Sequence, residues 1–82
     1  MSSEIIKQEI RQYIQDTIVQ NNLIVLENDT PLISGGIIDS ISTLKMVDFL
    51  EAKYKIEVQP HEVDRDNLDT INSIAEFVLS KK

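Results

Sequence analysis

Isoleucine recurs every four residues near the start of this chain, at Ile6, Ile10, Ile14 and Ile18. That spacing is close to one helical turn, so the four fall along one stripe of a helix, with Tyr13 beside them. Lys7, Gln8, Arg11 and Gln15 fall elsewhere around it. A helix with one apolar stripe has to bury that stripe against other elements. The pattern predicts a first helix from Ser3 to Ile18, with Asn21-Asn22 marking its end.

The rest of the chain offers more helices and no convincing pair of strands. Leu23 to Leu26 is a short apolar run without an obvious strand partner, expected as loop packed on the helices. Asn28-Asp29-Thr30-Pro31 is turn chemistry, after which Leu32 and Ile33 look like buried loop anchors. Gly35-Gly36 breaks the chain before a second helix, expected from Ser40 to Tyr54 or Lys55, with Lys53 and Lys55 at its negative end. Ile56 to Val58 reads as brief and extended, and Pro60 to Asn67 as a short third helix or only a turn. Thr70 can cap a last helix whose stripe is Ile71, Ile74, Phe77 and Val78. The expected fold is all-α: a small four-helix bundle with a long loop between helices 1 and 2 and a short third helix. With 82 residues, the chain is expected to be one domain, 1–82, with a small but sufficient core.

Composition narrows the function. Cysteine is absent, so the chain has neither a disulfide nor a thiolate of its own. Acids outnumber bases 14 to 8, a net charge of -6, which argues against nucleic acid and suits basic partners or simple solubility. Met1 is followed by Ser2, Ser3 and Glu4 rather than by a basic and then an apolar run. Neither a signal peptide nor a membrane-inserted segment is expected, and the expected compartment is the cytoplasm.

The second helix has apolar residues on two sides. Advancing about 100° per residue puts Met46, Val47, Leu50 and Tyr54 on one face, the expected core. Ile41 and Leu44 lie towards the other, near Lys45, Asp48 and Glu51. Two explanations stay open: they pack under the long loop, or they form an apolar docking patch rimmed by Asp39, Asp48 and Glu51. Asp39-Ser40 is equally two-sided, because both residue types are strong N-caps. If Ser40 is the cap, its hydroxyl is consumed by the backbone. If Asp39 is the cap, Ser40 takes the first helical position with its hydroxyl free, where unpaired N–H groups favour an anion such as a phosphate ester.

Several of these segments resemble the acyl and peptidyl carrier protein family. The match runs through Thr30-Pro31-Leu32, Gly36-Ile37-Ile38-Asp39-Ser40-Ile41, Tyr54 with Ile56-Glu57-Val58, and Asn67-Leu68-Asp69-Thr70 before Ile71 and Ile74, covering nearly the whole chain. The resemblance implies that Ser40 receives 4′-phosphopantetheine from coenzyme A, with Asp39 helping to engage the phosphopantetheinyl transferase. A carrier would meet its partners on the patch read above from the faces of the second helix, with contacts expected at Ile41, Leu44, Lys45, Asp48 and Glu51. The arm's thiol would hold an acyl or aminoacyl group as a thioester, loaded by an acyl- or aminoacyl-activating ligase and passed to a downstream acyl-accepting enzyme. The chain itself would be no enzyme, with no catalytic residue, and a monomer. Lys45 and Lys53 dilute the acids of the second helix, and the lead-in Gly36-Ile37-Ile38 with Val63-Asp64-Arg65 and Asp69-Thr70 looks closer to D-alanyl and other aminoacyl or specialised acyl carriers than to fatty-acid carriers. Lys55 stands where many relatives have a helix-ending glycine. A core holding bulky Met46, Phe49, Tyr54 and Phe77 is expected to leave little room for a long acyl chain.

Other features carry less. Asp64-Arg65-Asp66-Asn67-Leu68-Asp69 fails the calcium-loop pattern, because Leu68 takes a ligand position and no glycine makes the bend. His61 is the single histidine, so no metal site is expected. A Ser40–His61 hydrolase lacks a third member and an obvious cleft. The competing function is a non-covalent helical adaptor that binds a partner through the Ile41/Leu44 face, with Ser40 a cap only.

Overall fold

The apolar stripes do form helices. The computed structural model describes residues 3–19 and 25–82, which contain four α-helices and no strand. These are α1 (Ser3–Tyr13), α2 (Ser40–Tyr54), α3 (Arg65–Leu68) and α4 (Ile71–Lys81), with a single 3₁₀ turn at Pro60–Glu62 before α3. The expected helix end at Asn21-Asn22, and Leu23 and Ile24 of the apolar run, lie outside the described residues.

The first helix departs from expectation in its winding. Its last part, Ile14–Val19, is π-helical rather than α-helical. A strict four-residue spacing drifts about 40° per step around an ideal α-helix. The wider π turn drifts the other way. Ile6, Ile10 and Ile14 are all fully buried, and Ile18 packs half-buried against the same core.

One apolar cluster unites the elements. Met46, Val47, Leu50 and Tyr54 of α2 meet the isoleucines of α1 and the Ile71, Ile74, Phe77 and Val78 stripe of α4. Leu26, Leu32 and Ile38 enter it from the long loop and Leu68 from α3. Phe49 is not part of the buried core, contrary to expectation. It lies about 60° around the helix from Met46, half-buried, and stacks on Tyr13 at 4.0 Å and 12°. Tyr54 meets it edge-on at 6.4 Å.

Polar groups tie the loop and the helix ends to this core. Arg11 donates from Nε to the Leu26 carbonyl at 3.0 Å and from the guanidinium to the Asn28 side-chain oxygen, and the Asn28 carbonyl accepts from the Asn72 N–H at 2.9 Å. The loop is thereby pinned to α1 and α4 at once. Glu9 of α1 accepts from the Tyr54 hydroxyl at 2.9 Å and pairs with Lys53 at 3.2 Å. Burial, reinforced by Glu9, pushes the Tyr54 hydroxyl well above the usual tyrosine range. Thr70 caps α4 by accepting from the Ser73 N–H at 3.0 Å. Glu62 pairs with Lys81 at 2.6 Å, fastening the 3₁₀ turn to the end of α4. Among the described residues, no helix is long and apolar enough to cross a membrane.

α2 ends at Lys55, whose backbone is left-handed at φ 56° and ψ 47°. A side chain in that region costs about 1–2 kcal/mol per residue relative to glycine, part of which glycine returns through its greater unfolded-state freedom. Lys55→Gly is expected to stabilise the fold by about 1 kcal/mol in urea unfolding. An unchanged or lower midpoint would show that the Lys55 side chain contributes more than its backbone costs.

Candidate functional site: the turn that presents Ser40

The turn before α2 is built from a few backbone bonds. The Leu32 carbonyl accepts from the N–H groups of Ile37 at 2.9 Å and Ile38 at 3.0 Å, and the Ile33 carbonyl from Gly36 at 3.1 Å. Gly36 is left-handed at φ +76°, which suits a residue without a Cβ. A Cβ on Gly35 would collide with the Pro31 carbonyl oxygen. The two glycines therefore serve different needs, one a backbone angle and the other a close approach. Ile38 follows, buried, and fixes the approach of the chain to α2.

Asp39 is the N-cap. Its backbone is extended and its carboxylate accepts from the Ser42 N–H at 2.8 Å. Its carbonyl accepts from the Thr43 N–H at 2.8 Å and from the Thr43 hydroxyl at 2.7 Å. The Ser42 N–H holds the Asp39 carboxyl below the usual carboxylate range. Ser40 is the first residue of the helix, exposed, and its hydroxyl makes no hydrogen bond among the described residues. The choice left open by Asp39-Ser40 is thus decided by geometry.

The other serines nearby are differently placed. The Ser34 hydroxyl donates to Asp69 at 2.8 Å, and Ser42 is half-buried within the first turn. Ile41 is 68% exposed and Leu44 58%, so neither is buried under the long loop. Lys45 and Asp48 are exposed beside them. Glu51 is half-buried, about 40° around the helix from Val47, and its carboxylate accepts from the Val58 N–H at 3.0 Å. It sits at the edge of the patch and holds down the segment after α2. His61 is exposed in the 3₁₀ turn, and no group of potential metal ligands occurs among the described residues.

A groove of about 600 Å³ opens beside Ser40. Ile33, Ile38, Leu44 and Val63 give it apolar walls, and Asp39, Ser40, Asp64 and Arg65 polar ones. The sequence marks Val63-Asp64-Arg65, which also line it, as part of a short helix or turn and of the family resemblance, but nothing local places them beside Ser40. The tight core, in contrast, lies on the opposite side of α2, where Met46 and Leu50 are fully buried.

With a free serine hydroxyl at the head of a helix and an exposed apolar patch beside it, the architecture is that of a small all-α protein. No protein-family model matches the chain. It is similar to curated relatives called D-alanyl carrier protein. The one from Lactococcus lactis subsp. lactis (strain IL1403) is 37% identical over 54 residues, 66% of this chain and 68% of the relative. The one from Streptococcus sanguinis (strain SK36) is 30% identical over 73 residues, 89% of this chain and 90% of the relative. The one from Streptococcus thermophilus (strain ATCC BAA-491 / LMD-9) is 29% identical over the same length. The chain belongs to the carrier-protein family in which these D-alanyl carrier proteins stand.

Three hydrogen-bonded carboxyls around the site and the 3₁₀ turn are depressed: Asp39 by the Ser42 N–H, Asp69 by the Ser34 N–H, and Glu62 by the Lys81 side chain. A depressed folded-state value contributes stability that is complete above the unfolded pKa, about 3.9 for Asp and 4.3 for Glu. It is lost as pH falls through the lowered folded value. The thermal midpoint is expected to drop once pH falls below about 4, and Asp69→Asn to make the drop shallower. A midpoint that holds or rises under acid would contradict this.

Proposed function

We propose that this protein carries a small acyl unit, an amino acid such as D-alanine, as a thioester on a 4′-phosphopantetheine arm attached to Ser40. The observation that carries the proposal is the free Ser40 hydroxyl at the first turn of α2, with Asp39 and not Ser40 as the cap. The site fits the group. A phosphodiester at Ser40 would sit at a helix N-terminus, where the helix dipole favours negative charge. The arm would supply the thiol that a cysteine-free chain lacks. Ser40 would hold the ester, and the groove wall from Val63 to Arg65 would bound the space through which the arm leaves.

The rest of the work would fall to partners. A phosphopantetheinyl transferase, reading Asp39, would install the arm. An aminoacyl- or acyl-activating ligase would load it, and an acyl-accepting enzyme would unload it. Ile41 and Leu44 supply an exposed apolar centre for such docking, with Lys45 and Asp48 as orienting charges and Glu51 at the edge. The protein would act as a cytoplasmic monomer and catalyse nothing itself. The choice of an amino acid as cargo rests on the relatives' name and on the mixed polar and apolar lining of the groove.

The exposed Ile41/Leu44 face would serve a non-covalent adaptor equally well. Incubation with coenzyme A, magnesium and a broad-specificity transferase separates the two. The intact mass of the carrier rises by one phosphopantetheine unit, and Ser40→Ala abolishes the rise while costing little stability, since the hydroxyl is free. Modification that persists in Ser40→Ala would move the site to Ser34 or Ser42, and no modification at all would favour the adaptor.

The two faces of α2 are expected to separate under substitution. Leu50→Ala should destabilise by roughly 2–5 kcal/mol, as buried leucines do. Leu44→Ala should cost well under that and instead slow transfer to or from a cognate enzyme. Equal losses of stability would remove the case for a docking face.

A further inference from the structure

Asp69 stands between α3 and α4, far along the sequence from Ser40, yet it holds the segment that leads there. One carboxylate oxygen accepts from the N–H groups of Ile33 at 2.9 Å and Ser34 at 2.8 Å. The other accepts from the Ser34 hydroxyl at 2.8 Å. The Asp69 main-chain carbonyl accepts from the Leu32 N–H at 2.6 Å. One residue therefore takes every backbone N–H from Leu32 to Ser34. The next bonds begin where these stop: the Leu32 carbonyl holds Ile37 and Ile38, and Asp39 caps α2 directly afterwards.

These acceptors come from outside the loop. Gly35 and Gly36 bring no side chain to pack, and Gly36 is at a backbone angle that the unfolded chain visits among many others. The apolar anchors Leu32 and Ile38 fix two points of the turn. Between them the turn carries its own bonds to the Leu32 and Ile33 carbonyls, and Asp69 ties its first half to the chain just before α4.

We propose that Asp69 is a positioning residue, a latch that keeps the Leu32–Ile38 turn closed so that Ser40 is presented in one orientation to the enzyme that modifies it. The presentation half of this rests on the carrier function proposed above. The latch half does not, and the two can be tested apart.

Amide hydrogen exchange reads the latch directly. In Asp69→Ala, the Ile33, Ser34, Ile37 and Ile38 amides should lose protection while those of α1 and the middle of α4 keep theirs. Asp69→Asn retains a carbonyl oxygen for the two N–H groups and an amide that can donate to the Ser34 hydroxyl, so it should recover most of the protection. Unchanged protection in Asp69→Ala overturns the latch, and so does a loss spread evenly over the molecule.

Transferase kinetics reads the presentation. If an open turn leaves about a tenth of the molecules competent, the KM for the carrier rises roughly tenfold while kcat at saturation holds. Val78→Ala, a fully buried α4 position nine residues beyond Asp69 in sequence, supplies a control destabilised through the core. Assayed well below both unfolding midpoints, it should leave KM unchanged. An unchanged KM in Asp69→Ala, or an equal rise in Val78→Ala, overturns the presentation role. If the unaltered protein is never modified, the carrier function fails, and the exchange experiment still decides the latch.

Discussion

A long loop in a small helical protein has to satisfy its own backbone, and here the solution converges on Leu32. Its side chain is fully buried among the helices, its N–H donates to the Asp69 carbonyl, and its own carbonyl accepts from both Ile37 and Ile38. Buried peptide groups are costly when unpaired, so a loop that crosses the core must bring its partners with it. Leu32 meets that requirement with both of its backbone groups while its side chain joins the shared core. The turn that carries Ile38, the Asp39 cap and the position of Ser40 all follow from where this one residue is held.

The same economy governs α2. One face is packed against α1 and α4, which fixes the axis and rotation of the helix. Because Met46, Leu50 and Tyr54 set that rotation, Ile41 and Leu44 are turned outward whatever their own preference. The N-terminal end is left with an aspartate as cap and a serine hydroxyl in solvent. Burial holds one side of the helix, and the other side and the first turn are left to solvent. A packed helix with an exposed first residue is compatible with the carrier-protein family to which the chain belongs.

Much of this was legible from periodicity. The stripes at Ile6 to Ile18, at Met46 to Tyr54 and at Ile71 to Val78 are local signals, because a helix fixes which residues share a face. Thr70 as a cap and Leu32 as an anchor belong with them. Phe49 and Glu51 were harder. Each lies on the border of the buried face, where a few tens of degrees separate core from rim, and the neighbours that decide the matter come from Tyr13 and Val58. The π turn at Ile14–Val19 leaves no sequence mark beyond an isoleucine spacing slightly too long for an α-helix.

The sequence by itself determined the helices, the packed face of α2, the turn residues at Gly35-Gly36 and the resemblance carried by Asp39-Ser40-Ile41, because each depends on residues within a few positions of one another. Only the tertiary structure decided that Asp39 rather than Ser40 is the cap, that Val63 to Arg65 face Ser40 across a groove, and that Asp69 holds the loop in front of it. The cap is a local bond, from the Ser42 N–H to Asp39, of a kind that either residue type could have supplied, while the other two outcomes depend on contacts across the fold. Ile33 and Asp69 are 36 residues apart, and no local propensity records a hydrogen bond over that distance.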